Sequence, residues 1–551
     1  MPLSRSGSAP SLGAALIARR MSTWPVFVMS ASAMTPYTVV AGALPLGFAL
    51  IQETGIPVAY VLVALVLGVF AVGLAAMARH LPNPGAFYAY AAAGLGKRWG
   101  VAGAFVALVA YNAMQIGLYG AFGPAAGAAA TLVDGPEFWG VWVLAAWALI
   151  TLLGLLKIQV NARILGVLVC AEIVIVVVLD AVMLAHPAGG VIRYDTLNPG
   201  LILSPGGVAL LVGAVTGMVG FETALVYAGE TRQPRKTIAR AIFLTLGLAL
   251  LLYGGSAWAM SVAAGPDQIV AVAADHLTDL FFYLPSGYLP RVVMDIATVL
   301  FATSLFAAML AFHHTVARYT LTLAREGVLP AWLARTRDDE VPVTASLTQS
   351  GVALLALVGY LVTALDPTTD LFFFGTVSGG LGVLILMSIA AVAVVRFFHA
   401  NPHGENIWRR AIAPRVSATV LIVMLLLTVA FFGHLLGTDD PVKVWAAPTT
   451  FLTAGVAGAV WATTLRRRRP QVYTAIGIGS RHHPPAPPEP AIAWVPTVRP
   501  PAADTIQRVT ATHLNIPRRP GSPIDDTALP TRQRRSYPDN TEGRHTRRDQ
   551  S

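Results

Sequence analysis

Two short stretches carry residues that could hold a small polar solute inside otherwise apolar sequence. The first is Ser30-Ala31-Ser32-Ala33-Met34-Thr35-Pro36, where hydroxyls and small side chains sit beside a proline. Pro36 lacks a backbone donor and disfavours helix at Thr35. The second is Val215-Thr216-Gly217-Met218-Val219-Gly220-Phe221-Glu222-Thr223, with two glycines and a carboxylate. Backbone groups freed in hydrocarbon must be satisfied by a cavity, an ion or a solute. Amides released around Ser32–Thr35 would hold a carboxylate at the positive end of a half-helix. Carbonyls released around Thr216, Gly217 and Val219 would hold an ammonium. A site with donors on one side and acceptors on the other fits an α-amino acid zwitterion.

The elements that must position these stretches are membrane helices. The chain has 551 residues, 55% hydrophobic and only 12% charged, whereas soluble domains carry about 25% charge. Its mean hydropathy is +0.64, so lipid must solvate much of the surface. A helix needs about 20 apolar residues to cross the hydrocarbon core. Twelve spans are predicted: 24–52, 57–78, 101–127, 139–156, 163–185, 205–229, 238–263, 289–317, 344–364, 371–395, 414–436 and 444–465.

Loop charge orients them. With Arg19 and Arg20 inside, alternate loops carry Arg79, Lys97 and Arg98; Lys157 and Arg163; Arg232, Arg235 and Lys236; Arg325, Arg335 and Arg337; and Arg396, Arg409 and Arg410. The opposite loops are mostly acidic: Glu53, Asp134, Glu137, Asp195, Asp267, Asp275, Asp279, Asp366, Asp370, Asp439 and Asp440. This alternation follows the positive-inside rule and places both termini in the cytoplasm. The net charge of +10 lies mainly in residues 466–551, where 15 basic and 7 acidic residues give +8. A nucleic-acid partner is therefore not implied. After Pro470 the chain turns Pro- and Arg-rich, as in His482-His483-Pro484-Pro485, and predicts a disordered tail with incidental attraction to membrane lipid. The single cysteine, Cys170, excludes a disulfide framework and a Cys-rich metal site.

The two interrupted spans are the first and the sixth, five apart. Because five is odd, a second five-span unit enters the membrane upside down. Interruptions at matching places of two inverted halves point to a transporter's site. The expected fold is an all-α membrane protein of 12 transmembrane helices in a five-plus-five inverted repeat. Repeat one covers about 22–185 and repeat two about 205–395, inside a transporter domain of 22–465. Two extra helices (414–465) pack outside, 1–21 forms a cytoplasmic N-terminus, and 466–551 forms the tail.

Three stretches carry a family resemblance. They are Gly220-Phe221-Glu222-Thr223-Ala224 with Gly229-Glu230-Thr231-Arg232-Gln233-Pro234-Arg235-Lys236; Leu323-Ala324-Arg325-Glu326-Gly327-Val328-Leu329-Pro330 with Val341-Pro342; and Leu81-Pro82-Asn83-Pro84-Gly85-Ala86-Phe87-Tyr88. With them the chain resembles permeases of the amino acid–polyamine–organocation superfamily, whose fold is of the leucine-transporter type. The family's Gly-rich first break is here Ser32-Ala33-Met34-Thr35-Pro36. The resemblance implies that a substrate carboxylate meets Ala31, Ser32, Ala33 and Thr35. Its amino group would meet the carbonyls of Thr216, Gly217 and Val219, and Phe221 would act as an aromatic gate. Sodium-coupled members hold a cation between the first and eighth spans, which implies Ser30 or Ala33 carbonyls with the hydroxyls of Thr303 and Ser304. Proton-coupled relatives replace that ion with a charged group of the fifth span, where this chain has Glu172. An intramembrane carboxylate is a functional candidate by default and could bind a cation or carry a proton.

Other polar residues divide differently. Asp180 and Asp295 fall nearer the outer interface and read as solvated. Glu222 reads as a cap on the inner half of the sixth helix. His313 and His314 point about 100° apart and do not form a metal pair. Tyr111, Asn112, Gln115 and Tyr119 share helical spacing in the third span and could line a pocket. No phosphate loop, paired His/Glu metal motif or nucleophile elbow is present, so no catalytic residue, metal or cofactor is expected. The reading is a secondary active transporter of the cell membrane, moving an amino acid by alternating access with H+ or Na+, or as an exchanger. A carrier of polyamines or other organic amines, and a solute sensor that binds without transport, are the alternatives.

Overall fold

A computed structural model of the chain describes residues 21–477, apart from 82–84, 157, 232, 338–340 and 364. Residues 1–20, Lys157, Arg232 and the stretch 478–551 lie outside it. Among the described residues there is no strand, only two isolated bridges, Met21–Thr231 and Arg337–Val341. Among the described residues eleven helices are long and apolar enough to cross a membrane, and Trp139–Leu153 is a shorter apolar helix at the predicted fourth position. The chain is a multi-pass α-helical membrane protein. Most predicted span ends hold to within about five residues; the eighth helix starts at Arg291 but runs on to Arg325, past its predicted end at 317, and the third is longer at Lys97–Thr131.

The helices pack through small residues. Gly375, Gly379 and Gly382 of the tenth span recur at four- and three-residue spacing against Ala110, Ala113 and Gly117 of the third. A Cβ on Gly375 would lie 2.9 Å from Gly117 Cα, and one on Gly382 2.6 Å from Ala110 Cβ. Such stripes let backbones approach closely where lipid supplies no hydrophobic drive. The outer faces carry exposed Leu65, Leu149, Leu355, Leu426 and Leu452, which suit lipid.

Gly120 marks one of the tight crossings, where a Cβ would overlap Pro367 O and lie 2.6 Å from Phe372 N. Gly120→Ala is expected to destabilise the protein by about 1–3 kcal/mol through overpacking, read as a lower unfolding temperature in detergent. Gly68→Ala, with open space around it, is the control. Equal stabilities would show that the crossing is not tight.

Three findings extend or amend the sequence reading. The chain from Arg466 is ordered as far as Gly477: the twelfth helix runs to Arg468 and a short helix spans Pro470–Ala475. Ala475 and Ile476 are buried, and Gly477 N donates to Glu326 Oε2 at 2.9 Å. Among described loops, Arg79 forms a bidentate pair with Glu405 at 2.9 Å. Arg193 donates to Asp267 at 2.6 Å and to Asp195 at 3.0 Å, and these hydrogen bonds raise its pKa above the usual guanidinium value.

Candidate functional site

Both predicted interruptions are present, and they meet. The first span is helical over Thr23–Met34 and restarts at Pro36. Thr35 between them is left-handed, with φ 53° and ψ 60°. Its amide donates to Ala31 O and Ser32 O, both at 3.1 Å. Pro36 then opens the next segment, where a missing amide hydrogen costs nothing. The sixth span is helical to Gly217 and resumes at Phe221 as a tighter 3₁₀ helix. Gly220 at the joint has φ +114°. A Cβ there would lie 2.5 Å from the carbonyl carbon and oxygen of Ala33 and 2.6 Å from Met34 N. Ser30 Oγ reaches across, 2.9 Å from Phe221 O and 3.2 Å from Gly220 O. The two broken helices therefore touch backbone to backbone at Gly220 and are tied by the Ser30 hydroxyl.

A cavity of ≈ 70 Å³ begins at this junction. Ala33, Met34, Thr35, Thr216, Gly217 and Val219 line its base. It extends toward the end of the bundle where Ile51 closes the first span, Ile56 opens the second and Leu435 ends the eleventh; this is called the distal end. No charged side chain lines it, and most of the wall is Met, Val, Ile, Leu and Phe. The opposite side of the junction is closed by polar and aromatic contacts. Glu222 accepts from Gly220 N at 2.9 Å and from Tyr111 Oη at 3.0 Å. Below it Tyr111 packs on Tyr319, Tyr319 on Tyr88, and Tyr88 Oη donates to Glu326. Glu222 is thus both a cap and a partner of the third span.

The predicted binding residues divide. Ala33, Thr35, Thr216, Gly217 and Val219 line the cavity; Ala31, Ser32 and Phe221 do not. The Thr35 amide, expected to be released, is engaged by Ala31 and Ser32. Thr216 O accepts from Val219 N at 3.2 Å, and Thr216 Oγ1 donates to Val212 O. Among the described residues no hydrogen bond reaches Gly217 O or Val219 O, so these two acceptors stay available. Phe221 is no gate in this conformation. It is fully buried and edge-on to Phe70, at 6.5 Å between ring centres.

The cavity also has a wall that sequence reasoning missed. Tyr60 of the second span and Phe372, Phe373, Thr376 and Val377 of the tenth line it, while the third span contributes Met114 and Leu118. The third-span polar residues are engaged elsewhere: Asn112 bonds Leu108 O on its own helix, and Gln115 bonds Gln349 of the ninth span. Tyr60 had a readable signal, being the one polar side chain in its apolar run 57–78. Thr35 and Tyr60 line the cavity, and among the described residues neither side chain makes a hydrogen bond.

The coupling candidates also separate. Ser304 Oγ donates to Glu172 Oε2 at 2.9 Å, and Thr38 Oγ1 to Ser304 Oγ at 3.4 Å. Glu172 is 1% exposed and its Oε1 has no partner. This cluster joins the first, fifth and eighth spans. Thr303 is not in it, because its hydroxyl bonds Leu300 O on its own helix. The Ser30 hydroxyl bonds across the junction. His313 bonds Ser346 at 2.7 Å, and its ring stands 6.1 Å from that of His314, so the pair is packing. No group of His, Cys, Asp and Glu able to hold a metal occurs among the described residues.

Known proteins agree with a permease. A family profile described as amino acid permease matches residues 21–456. An "uncharacterized transporter" of Mycobacterium tuberculosis is 28% identical over 388 residues, covering 68% of this chain and 79% of its own. A branched-chain amino acid permease of Bacillus subtilis is 25% identical over 368 residues, covering 62% of this chain and 73% of its own. A solved manganese transporter of Eremococcus coleocola is 13% identical, with TM-score 0.49, covering 84% of this chain and 97% of its own. The profile match and the relatives named as transporters and permeases point to a transporter and not an enzyme. With nearly all of the membrane part inside the matched region, the chain belongs to the amino acid permease family, within the amino acid–polyamine–organocation superfamily.

Proposed function

We propose that the chain carries a neutral amino acid with an apolar side chain across the cell membrane, by proton-coupled alternating access. The observation that carries the reading is the chemistry of the cavity base. Free hydroxyls of Thr35 and Tyr60 lie beside free carbonyls of Gly217 and Val219, under a wall with no charged side chain. Donors and acceptors at one end fit a carboxylate and an ammonium. The apolar remainder fits an aliphatic side chain, and the relative named as a branched-chain amino acid permease supports that class. A diamine would leave its second ammonium unpaired in that wall, at high cost, so polyamines are disfavoured.

Loop charge supports both termini in the cytoplasm. The distal end is then extracellular, and the cavity belongs to a state closed on the cytoplasmic side by Glu222, Tyr111 and Glu326. Two five-span halves rocking about the junction would expose it in turn. Glu172 binds the driving proton at Oε1. A proton needs only that one unpartnered oxygen, whereas a sodium ion needs several, and the Ser304 hydroxyl is already spent as a donor to the carboxylate, with the Thr38 hydroxyl donating to Ser304.

Purified protein in liposomes tests this. Leucine, isoleucine or valine should accumulate under an acid-outside gradient, with lysine and putrescine failing to compete. Accumulation driven by sodium instead would replace the proton, and preferred uptake of diamines would overturn the substrate class. Binding without flux in folded, oriented protein would make the chain a sensor.

A further inference from the structure

Asp180 stands eight residues beyond Glu172 on the fifth span, about 12 Å along the helix at 1.5 Å per residue. It is not solvated as its position suggested. Its Oδ2 accepts from Ser256 Oγ at 2.6 Å, and its Oδ1 is shut from solvent with no hydrogen-bond partner. No basic side chain pairs with it among the described residues. On the elements packed against this part of the helix the titratable groups are Tyr37, Tyr253, Tyr283, Arg291 and Asp295, and none bonds to it. A half-buried carboxylate with one oxygen shut from water and no cationic partner is unfavourable unless it is neutral or bound to a cation.

Its partner connects it to the substrate site. Ser256 follows the π-helical turn Leu250–Gly254 of the seventh span. Within that turn Tyr253 Oη donates to Met34 O at 2.7 Å, at the break of the first span. One short stretch of the seventh span thus touches both the junction and Asp180. Such turns are frequent at functional sites.

We propose that Asp180 is a second proton-binding carboxylate of the transport cycle, charged from the distal side while the cavity is open there. The inference rests on the proton-coupled reading given above. The step forms an O–H bond at Asp180 Oδ1 when the distal side is acidic and breaks it when the proton leaves later in the cycle. Oδ2 keeps the Ser256 hydrogen bond throughout.

Asp180→Asn retains an acceptor for Ser256 but takes up no proton. Leucine uptake driven by an acid-outside gradient is expected to fall by about tenfold or more, as when a positioned proton carrier is removed. Its dependence on external pH should flatten, while leucine counterflow stays within about twofold, because exchange needs no net proton movement. Ser256→Ala, which removes the tie but keeps the carboxylate, should retain the pH response. Proton movement is followed with a pH-sensitive dye inside the liposomes. A wild-type pH profile and proton flux in Asp180→Asn would overturn the proposal. Equal losses in both variants would also overturn it, by making the contact structural. If the unmodified protein itself shows no proton-driven uptake, the coupling reading fails and takes this inference with it.

Discussion

Gly220→Ala is expected to abolish transport. The residue sits at φ +114°, a region that costs an L-residue about 1–2 kcal/mol or more. The larger obstacle is space. The added methyl would lie 2.5 Å from the carbonyl of Ala33 and 2.6 Å from Met34 N, and these are backbone atoms that cannot swing aside. The junction would have to open, which would break the Ser30 hydrogen bonds to Gly220 O and Phe221 O. It would also displace the carbonyls of Gly217 and Val219 from the cavity base. Leucine binding, measured by scintillation proximity, and leucine uptake should both fall to background. Gly247→Ala is the control, since its methyl would meet nothing within 4 Å. Transport by Gly220→Ala at the rate of Gly247→Ala would show that the two breaks need not touch.

Glu172→Gln should uncouple rather than inactivate. The glutamine keeps an oxygen for the Ser304 hydroxyl, so the link between the fifth and eighth spans survives. What it loses is the unpartnered Oε1, the atom assigned to the proton. Uptake under an acid-outside gradient is expected to drop about 100-fold, the scale seen when a positioned proton-transfer group is removed. Counterflow exchange should remain close to normal, because substrate binding and the junction are untouched. Equal and near-normal rates in both assays would remove Glu172 from coupling. Equal loss in both would make it a structural residue.

The two carboxylates of the fifth span differ from what depth alone suggested. Glu172 and Asp180 each keep one oxygen bonded to a serine of a neighbouring helix and one oxygen bare. From sequence, Glu172 is visible because it lies in mid-span, whereas Asp180 reads as interfacial. Its burial depends on where the seventh span lies.

The sequence by itself determines where this chain enters the membrane and where its helices fail. Hydropathy is a sum over about 20 residues set by contact with hydrocarbon, so it is readable without neighbours. The starts of the second, fourth and eighth spans at Ile56, Trp139 and Arg291 follow from it. The breaks at Thr35–Pro36 and Gly217–Gly220 are equally local, because proline and glycine change the backbone wherever they stand. Rotation about each helix axis is not local. In a membrane bundle the lipid face and the core face are both apolar, so little in the pattern tells them apart. Only packing decided that Met114 and Leu118, not Gln115 and Tyr119, face the cavity. Only packing turned Phe221 inward against Phe70, sent the Thr303 hydroxyl back to Leu300, and set Tyr60 and the tenth span around the site. The tight glycine contacts of the third and tenth spans fix the rotation of those two helices, because only one relative orientation lets their backbones approach so closely.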